Sequence, residues 1–353
     1  MKENTKYSNY IYEVHFLRAW ACLMILMVHV SAGFYYVHGE SHHWSTLMLN
    51  QLSRFGTPMF AVISGFLLFH QRRRFEWKRF FYSRTVKVLI PFVLWTGVYL
   101  AIQVTVFDVQ IAKGFKSFVV QYLYMGKGFY HLWFMSVVLQ FYLVFPLLQR
   151  LLKGFRSWLA GVLAAFVINA WFAGDWVGDL LGSNSYLIHD KAFLFHWIFY
   201  FVFGGFLAFG WDRIRAWCRE QRAAMLILAM LFIVEAVWET FTFGVAPSER
   251  WVNLVAVPVL CLAMVAWFPV LERLPGVYRA GLVIGQCSMG IYLTHPLWIM
   301  LIIRDMTHAL WQPGTFGFTY GLFLALSVSG VKLAEKLPWH QYLFPIPQVR
   351  MQR

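Results

Sequence analysis

Two ionisable side chains stand within the first long apolar run of the chain, at a spacing that suits acid–base chemistry across a membrane. Arg18 and His29 are 11 residues apart, which on a helix brings them within about 20° of one face and separates them by about 16 Å. An ionisable group in hydrocarbon costs at least about 2.5 kcal/mol, so each is a functional candidate. The alternative is a snorkelling arginine beside a structurally satisfied histidine.

Further polar and aromatic side chains are expected at the depth of His29. Arg54 lies in the second apolar run, and a Ser-Met-Gly-Ile-Tyr-Leu-Thr-His-Pro segment ends the set of candidates near the C-terminus. An imidazole titrates near neutral pH and can act as a general base. An interfacial tryptophan is equally well explained as an aromatic anchor. The candidates for contact with a substrate at this level are Arg54, His131, Trp133, Tyr292 and His295.

Paired cations are expected at the opposite membrane boundary. Arg84 and Lys87 are three residues apart at the start of the third apolar run, so a helix would place them on one face. Two cations there could hold the phosphates of an anionic cofactor. Attraction of the surrounding basic segment to anionic lipid is the alternative explanation.

The elements that must position these side chains are membrane-spanning helices. The 353 residues are 60% hydrophobic and only 13% charged, whereas a soluble domain carries about 25% charged residues. The apolar runs have the length of a bilayer core. We therefore predict an all-α polytopic membrane protein, with residues 1–353 forming a single transmembrane domain without an appended soluble domain. The predicted helices cover 12–36, 46–69, 85–107, 130–149, 157–173, 191–211, 223–243, 252–270, 280–303 and 315–334.

The distribution of charge predicts the orientation of the bundle and excludes some functions. Lys and Arg concentrate in alternate connections, which indicates that the N- and C-termini are both cytoplasmic. This topological bias also explains the net charge of +14 without nucleic-acid binding. No HExxH pattern, Walker A sequence or GxSxG elbow is present, so no metal site is expected.

Several segments together resemble the acyltransferase-3 family of membrane O-acyltransferases. The first is Arg18-x10-His29, and the others follow in the family's order along essentially the whole chain. At the third helix the family's Arg-x-x-Arg reads Arg84-Thr85-Val86-Lys87 here, which keeps the charge but loses bidentate phosphate geometry. The remaining matching segments are Phe55–Pro58 with Ile63–Leu68, His131–Phe134 with Tyr142–Pro146, and Gly290–Pro296.

The resemblance implies an enzyme of the bacterial inner cell membrane that uses acyl-CoA, in particular acetyl-CoA, and no metal. It would transfer the acyl group from the cytoplasm to a hydroxyl of an extracytoplasmic or lipid-linked glycan. Arg84 and Lys87 would hold the CoA phosphates, Arg18 would guide the pantetheine arm, and His29 would act as general base or, alternatively, as a covalent acyl carrier. Arg54 would stabilise the oxyanion. The residues facing the acceptor would be His131, Trp133, Tyr292 and His295.

The implied partners are the cell-envelope glycan and membrane lipids, with glycan-synthesis machinery or a second copy of the chain as further associations. A transporter or flippase of a cell-envelope polysaccharide is the principal alternative, because buried charges and boundary aromatics also suit a transport path. A non-catalytic sensor or scaffold would give no reason for an arginine and a histidine on one face of a helix.

Overall fold

A computed structural model describes residues 11–70, 76–174, 186–304 and 308–346, and every regular element in these ranges is helical. Ten helices there are long and apolar enough to cross a membrane, which confirms the predicted all-α architecture. We number them α1 to α10 in chain order. They are Tyr12–Val37, Trp44–His70, Trp77–Phe107, Trp133–Leu151, Phe155–Ala173, Tyr186–Phe209, Arg222–Phe243, Asn253–Glu272, Pro275–Ile303 and Phe316–Ala334.

Two faces of the bundle are named by α1. The N-terminal face is where α1 begins, and the far face is where it ends. Successive helices alternate in direction, so α2, α4, α6, α8 and α10 start at the far face. The largest difference from the predicted bounds is at α3, which begins at Trp77 instead of residue 85, because its basic first segment is also helical.

Prolines interrupt two of the spans close to candidate residues. In α2, a 3-10 turn at Ser53–Phe55 separates Trp44–Leu52 from Gly56–His70. Pro58 has no N–H to donate to the carbonyl of Arg54, so regular helix geometry is lost there. In α3, Pro91 likewise follows a π-helical turn at Thr85–Leu89. The helix α6 is also broken, with a 3-10 turn at Leu194–His196 before Ile198–Phe209.

Glycines allow the central helices to approach closely. A Cβ built on Gly65 of α2 would lie 1.9 Å from the carbonyl oxygen of Phe201 in α6. A Cβ on Gly204 of α6 would lie 1.9 Å from the carbonyl oxygen of Val62. On α9, a Cβ at Gly285 would lie 2.5 Å from the backbone of His15 in α1. Small residues at such crossings are the usual means of helix association in a membrane.

The peripheral helices expose apolar surface. Helices α5 and α7 are the least buried of the ten, and side chains such as Leu163 and Leu231 are exposed at mid-helix. Soluble proteins rarely leave large contiguous apolar surfaces uncovered, so these faces fit contact with lipid.

An amphipathic helix, Trp211–Glu220, connects α6 to α7 at the N-terminal face. Its Arg219 and Arg215 contact the carboxylate of Glu13 at 3.1 Å and 3.5 Å. Glu13 is buried in the first turn of α1. The ion pairs therefore fasten the start of α1 to this connecting helix.

Candidate active site

The helix α1 carries candidate residues in both halves of the bundle. Nη2 of Arg18, nearer the N-terminal face, donates to Oγ of Ser288 in α9 at 3.0 Å. His29 lies nearer the far face and is half-buried. Its ring centre is 4.8 Å from that of Tyr130 and 5.1 Å from that of His295. Within the described part of the chain, His29 makes no hydrogen bond, so both of its ring nitrogens are available to a ligand.

Three histidines from separate parts of the sequence meet at this level. The ring centre of His131 is 5.6 Å from that of His295, which in turn contacts His29. Nδ1 of His295 lies 2.8 Å from the carbonyl oxygen of Ile291. Since a carbonyl can only accept, Nδ1 donates and Nε2 carries the lone pair of a neutral ring. This Nε2 and both ring nitrogens of His131 are buried without a hydrogen-bond partner among the described residues.

Arg54 reaches the same region through the 3-10 turn of α2. Its Nε donates to Oδ1 of Asn50 at 3.0 Å. The amide of Asn50 in turn donates to Oγ of Ser31 at 2.8 Å and to the carbonyl of Val28 at 3.1 Å, both in α1. The described residues supply no further hydrogen bond to the Arg54 guanidinium. Its terminal N–H groups are therefore held in place but unused.

A cavity of about 210 Å³ joins these side chains near the far face. His29 and Arg54, which the sequence analysis expected at a common depth, both line it. The predicted substrate contacts His131, Trp133 and Tyr292 line it as well. His295 does not line the cavity: it is 1% exposed and lies behind His29. An acid–base group, a cation and aromatic rings thus surround one polar space.

The tyrosine contacts join the walls of the cavity. The hydroxyl of Tyr292 in α9 donates to the carbonyl of His131 at the start of α4. The hydroxyl of Tyr99 in α3 donates to the carbonyl of Leu293 at 2.7 Å, and its ring centre is 5.2 Å from that of His131. Three helices from distant parts of the sequence are thereby fixed around His131.

Three ionisable residues of the cavity lining were not among the sequence candidates. Tyr130 precedes His131, Lys191 lies in α6, and Glu249 lies in the connection between α7 and α8. Nζ of Lys191 is 5.1 Å from the ring centre of Trp133. Glu249 acts electrostatically on both Arg54 and Lys191. Few charged residues occur in the parts of the sequence that lie near the far face. That scarcity was the signal that could have identified Lys191 and Glu249.

Two of the cavity residues, Tyr130 and His131, belong to the turn before α4 and are outside the spanning helices. Burial raises the pKa of the Tyr130 hydroxyl. Burial also lowers the pKa of the His131 imidazole well below its usual range, and the neighbouring His295 and His29 act in the same direction. Both side chains are therefore uncharged at neutral pH.

The cations at the N-terminal face are arranged differently from one another. Arg84 is half-buried, with its guanidinium 5.2 Å from the ring centre of Tyr142 and 5.3 Å from that of Phe80. Arg18 also acts electrostatically on Tyr142, so both arginines influence this one tyrosine. Lys87 is exposed. The π-helical turn between Arg84 and Lys87 alters their angular spacing from that of the regular helix assumed from the sequence.

The ten spans in the described residues define a polytopic membrane protein, and histidines, a cation and aromatic rings line a cavity near its far face. A family model described as an acyltransferase domain matches residues 11–332. The chain therefore belongs to the acyltransferase-3 family and is a membrane acyltransferase by family. This confirms the resemblance drawn from its sequence segments.

The curated relatives of the chain are bacterial, and they are named as export proteins and not as acyltransferases. A "Probable poly-beta-1,6-N-acetyl-D-glucosamine export protein" of Staphylococcus aureus is 21% identical over 302 residues, covering 81% of each chain. A protein of the same name from Staphylococcus epidermidis is 22% identical over 228 residues, covering 62% of this chain and 61% of its own. In the sequence, Phe55–Pro58 and the segment Arg84–Pro91 are also similar to intercellular adhesion protein C of the poly-N-acetylglucosamine operon, and these matches agree with that likeness. No solved structure matches significantly.

Proposed function

We propose that this membrane acyltransferase moves an acyl group, in particular acetyl, from cytoplasmic acyl-CoA to a hydroxyl of an extracytoplasmic or lipid-linked glycan. The observation that carries the proposal is the cavity that His29 and Arg54 line near the far face. The same helix α1 also places Arg18 in the half nearer the N-terminal face. One rigid element thus connects a basic group on the donor side with an acid–base group on the acceptor side.

In this proposal His29 is the general base. One of its ring nitrogens takes the proton of the glycan hydroxyl as the hydroxyl oxygen attacks the thioester carbonyl. When the carbon–sulfur bond breaks, the protonated ring returns that proton to the leaving thiolate. The absence of any hydrogen bond to His29 within the described residues supports this role, because neither nitrogen is already engaged. Transfer through a covalent acyl-histidine is the second version.

Arg54 is placed to stabilise the negative oxygen that develops during attack. Asn50 holds one edge of its guanidinium, and the other N–H groups have no protein partner among the described residues. Preorganised donors of this kind contribute about 3 kcal/mol each in a site that excludes water. The aromatic faces of Trp133 and Tyr130 in the same cavity suit stacking against a sugar ring. His131 and Tyr292 complete the acceptor side in this proposal.

The donor side rests on Arg84, Lys87 and Arg18. We assign the CoA phosphates to Arg84 and Lys87, with Arg18 beside the path of the pantetheine arm. An extended arm of about 15–20 Å matches the rise of about 16 Å between Arg18 and His29 on α1. The contact of Arg84 with Tyr142 and the electrostatic effect of Arg18 on the same tyrosine support a common path for the donor. The exposure of Lys87 suits a screened contact with phosphate.

Polysaccharide transport is the second candidate, and the printed names of the staphylococcal relatives favour it. A transporter would use the aromatic and charged cavity residues to bind a glycan without forming or breaking a bond. It would neither bind acyl-CoA nor release CoA thiol, so the two functions separate in one assay.

The experiment measures CoA release by the purified protein with acetyl-CoA and an acceptor glycan, for wild type, His29→Ala and His29→Gln. Loss of a general base costs about 10²–10⁴-fold in rate, and both variants should still bind CoA. His38→Phe is a matched control, because His38 caps the C-terminus of the same helix and does not line the cavity. Release at the wild-type rate by both His29 variants would remove His29 from the chemistry, and no release by wild type would favour transport.

Orientation has its own test. In the proposal the N-terminal face is cytoplasmic, since the basic connections lie there. A topology reporter placed at Gly154, between α4 and α5, should report the cytoplasm, and one at Gly114, between α3 and α4, should report the outside. The opposite pattern would put His29 on the donor side and contradict the proposed direction of transfer.

A further inference from the structure

The imidazole of His295 was expected to contact the acceptor, but its position in the structure does not allow this. It is 1% exposed and does not line the cavity. Its Nδ1 is fixed by the carbonyl of Ile291, while its Nε2 is buried without a partner among the described residues. A buried acceptor nitrogen without a hydrogen bond is costly, so its presence calls for a functional explanation. The ring that lies against it is that of His29.

We propose that His295 is a positioning residue, whose Nε2 accepts a hydrogen bond from one ring nitrogen of His29 and so directs the other nitrogen, as base, into the cavity. This inference rests on the proposed function and deepens it. Outer partners of this kind orient functional histidines by fixing the tautomer and the ring plane. The bond from Nδ1 of His295 to Ile291 determines which nitrogen is presented, so His295 can only be the acceptor while it is neutral.

The geometry permits this bond with a small rotation. The ring centres of His29 and His295 are 5.1 Å apart and the rings are tilted by 31°. A ring nitrogen lies roughly 1.1 Å from its centre, so nitrogens that face each other would be about 2.9 Å apart, which is hydrogen-bond distance. Catalytic hydrogen bonds are often looser before substrate binds and tighten in the reacting complex.

The groups around the two histidines favour a hydrogen bond in which His29 is the donor and His295 is the acceptor. The groups that face the histidine pair are Tyr130, His131, Tyr292, Arg54 and Lys191. The tyrosine hydroxyl nearest His295 already donates to a backbone carbonyl, that of His131. Neither cation can accept a proton. His131 also has ring nitrogens without a partner among the described residues, but the histidine ring in contact with that of His29 is His295. When the His29 ring becomes protonated during attack, Nε2 of His295 is therefore the acceptor in position to stabilise it.

The reaction remains balanced with this residue in place. The proton that leaves the glycan hydroxyl resides on the cavity-facing nitrogen of His29 and returns to the thiolate. The proton between His29 and His295 is shared throughout and is not transferred onward. His295 therefore makes no contact with the donor or the acceptor, and its removal should affect the rate of transfer instead of the affinity for either substrate.

The test compares His295→Phe, which keeps a ring but removes the acceptor, with His295→Gln, which retains an acceptor oxygen. We expect kcat for CoA release to fall about 10- to 100-fold in His295→Phe, with KM for acetyl-CoA and for the glycan within about twofold of wild type. His295→Gln should recover part of the loss. His38→Phe is the matched control, since Nδ1 of His38 makes the same bond to a carbonyl four residues earlier, that of Phe34, at 2.9 Å.

Three results would overturn the inference. A wild-type kcat in His295→Phe would show that His29 needs no partner. A raised KM for the glycan with unchanged kcat would return His295 to the acceptor side. Equal loss in His295→Phe and a folded His295→Gln would show that an acceptor atom at this position does not support the rate. If His29→Ala abolishes CoA release while these variants behave in any of those ways, the inference fails and the proposed function stands.

Discussion

The crossing of α2 and α6 gives the sharpest prediction about stability. A methyl group at Gly65 would lie 1.9 Å from the carbonyl oxygen of Phe201 and 2.8 Å from its carbonyl carbon. Ordinary van der Waals contact begins near 3.4 Å, so the two helices must separate by about 1.5 Å. The obstacle is backbone, which cannot turn aside as a flexible side chain does. Gly65→Ala should therefore cost about 3 kcal/mol, the upper end of the usual cost of overpacking.

The matched control is Gly97→Ala in α3, where an added Cβ would meet nothing within 4 Å. The assay is thermal unfolding of the purified protein in detergent, followed by the loss of monodisperse protein. Gly65→Ala should lower the apparent melting temperature by about 5 °C or more, and Gly97→Ala should leave it unchanged or raise it, since alanine favours a helix.

The same substitution tests the link between packing and the site. Helix α2 carries Arg54 and α6 carries Lys191, and both side chains line the cavity. A displacement near 1 Å can cost about 10²-fold in catalysis, so the residual folded Gly65→Ala should also transfer slowly. Gly204→Ala opposes the same crossing from the other helix, and the double variant should cost less than the two single costs together. Wild-type melting of Gly65→Ala would refute the close approach of α2 and α6.

Three further predictions address single side chains. Arg54→Ala should lower kcat for CoA release by about 10²–10³-fold, and Arg54→Lys should recover little, since an ammonium lacks the planar fork by which a guanidinium can bond Asn50 through one edge and an oxyanion through the other. Activity of Arg54→Lys near that of wild type would contradict this. Glu13→Gln should lower the free energy of unfolding by only about 1 kcal/mol in the same melting assay, because the arginines that pair with Glu13 are half-exposed and solvent screens the interaction. An effect that persists at high salt would point to packing. Arg84→Ala should weaken acetyl-CoA binding more than Lys87→Ala does, measured by calorimetry at low salt, since only Arg84 is partly buried; the reverse order would place the phosphates at Lys87.

The ten spans follow from hydropathy because a bilayer permits few other structures. Each apolar run must satisfy its own backbone hydrogen bonds, so its length alone indicates a helix. Likewise the stripe of Arg18 and His29 follows from helix geometry. The interruption of α2 at Ser53–Phe55 was not predicted, although Pro58 gave a local signal for it. A run that is apolar throughout does not show where its helical geometry changes.

The composition of the cavity was harder to predict than the depth of its members. Lys191 and Glu249 come from a broken helix and a connection, whose positions depend on tertiary contacts that sequence periodicity does not encode. His295 shares the expected depth with His29, but its rotation about the α9 axis places it behind that ring and not in the cavity. Depth follows from counting residues along a helix, whereas direction requires the packing partner.

The hydrogen bonds of Asn50 have a consequence for how the protein responds to its bilayer. They join α2 to Val28 and Ser31 of α1 and hold Arg54 at the same time. A slip of one residue between these helices would shift the α1 partners by about 1.5 Å and 100° and break these bonds. When membrane thickness changes, helices adapt by tilting at modest cost. The least buried helices, α5 and α7, can take up that tilt. His29 and Arg54 then keep their positions relative to each other, because α1 and α2 move together.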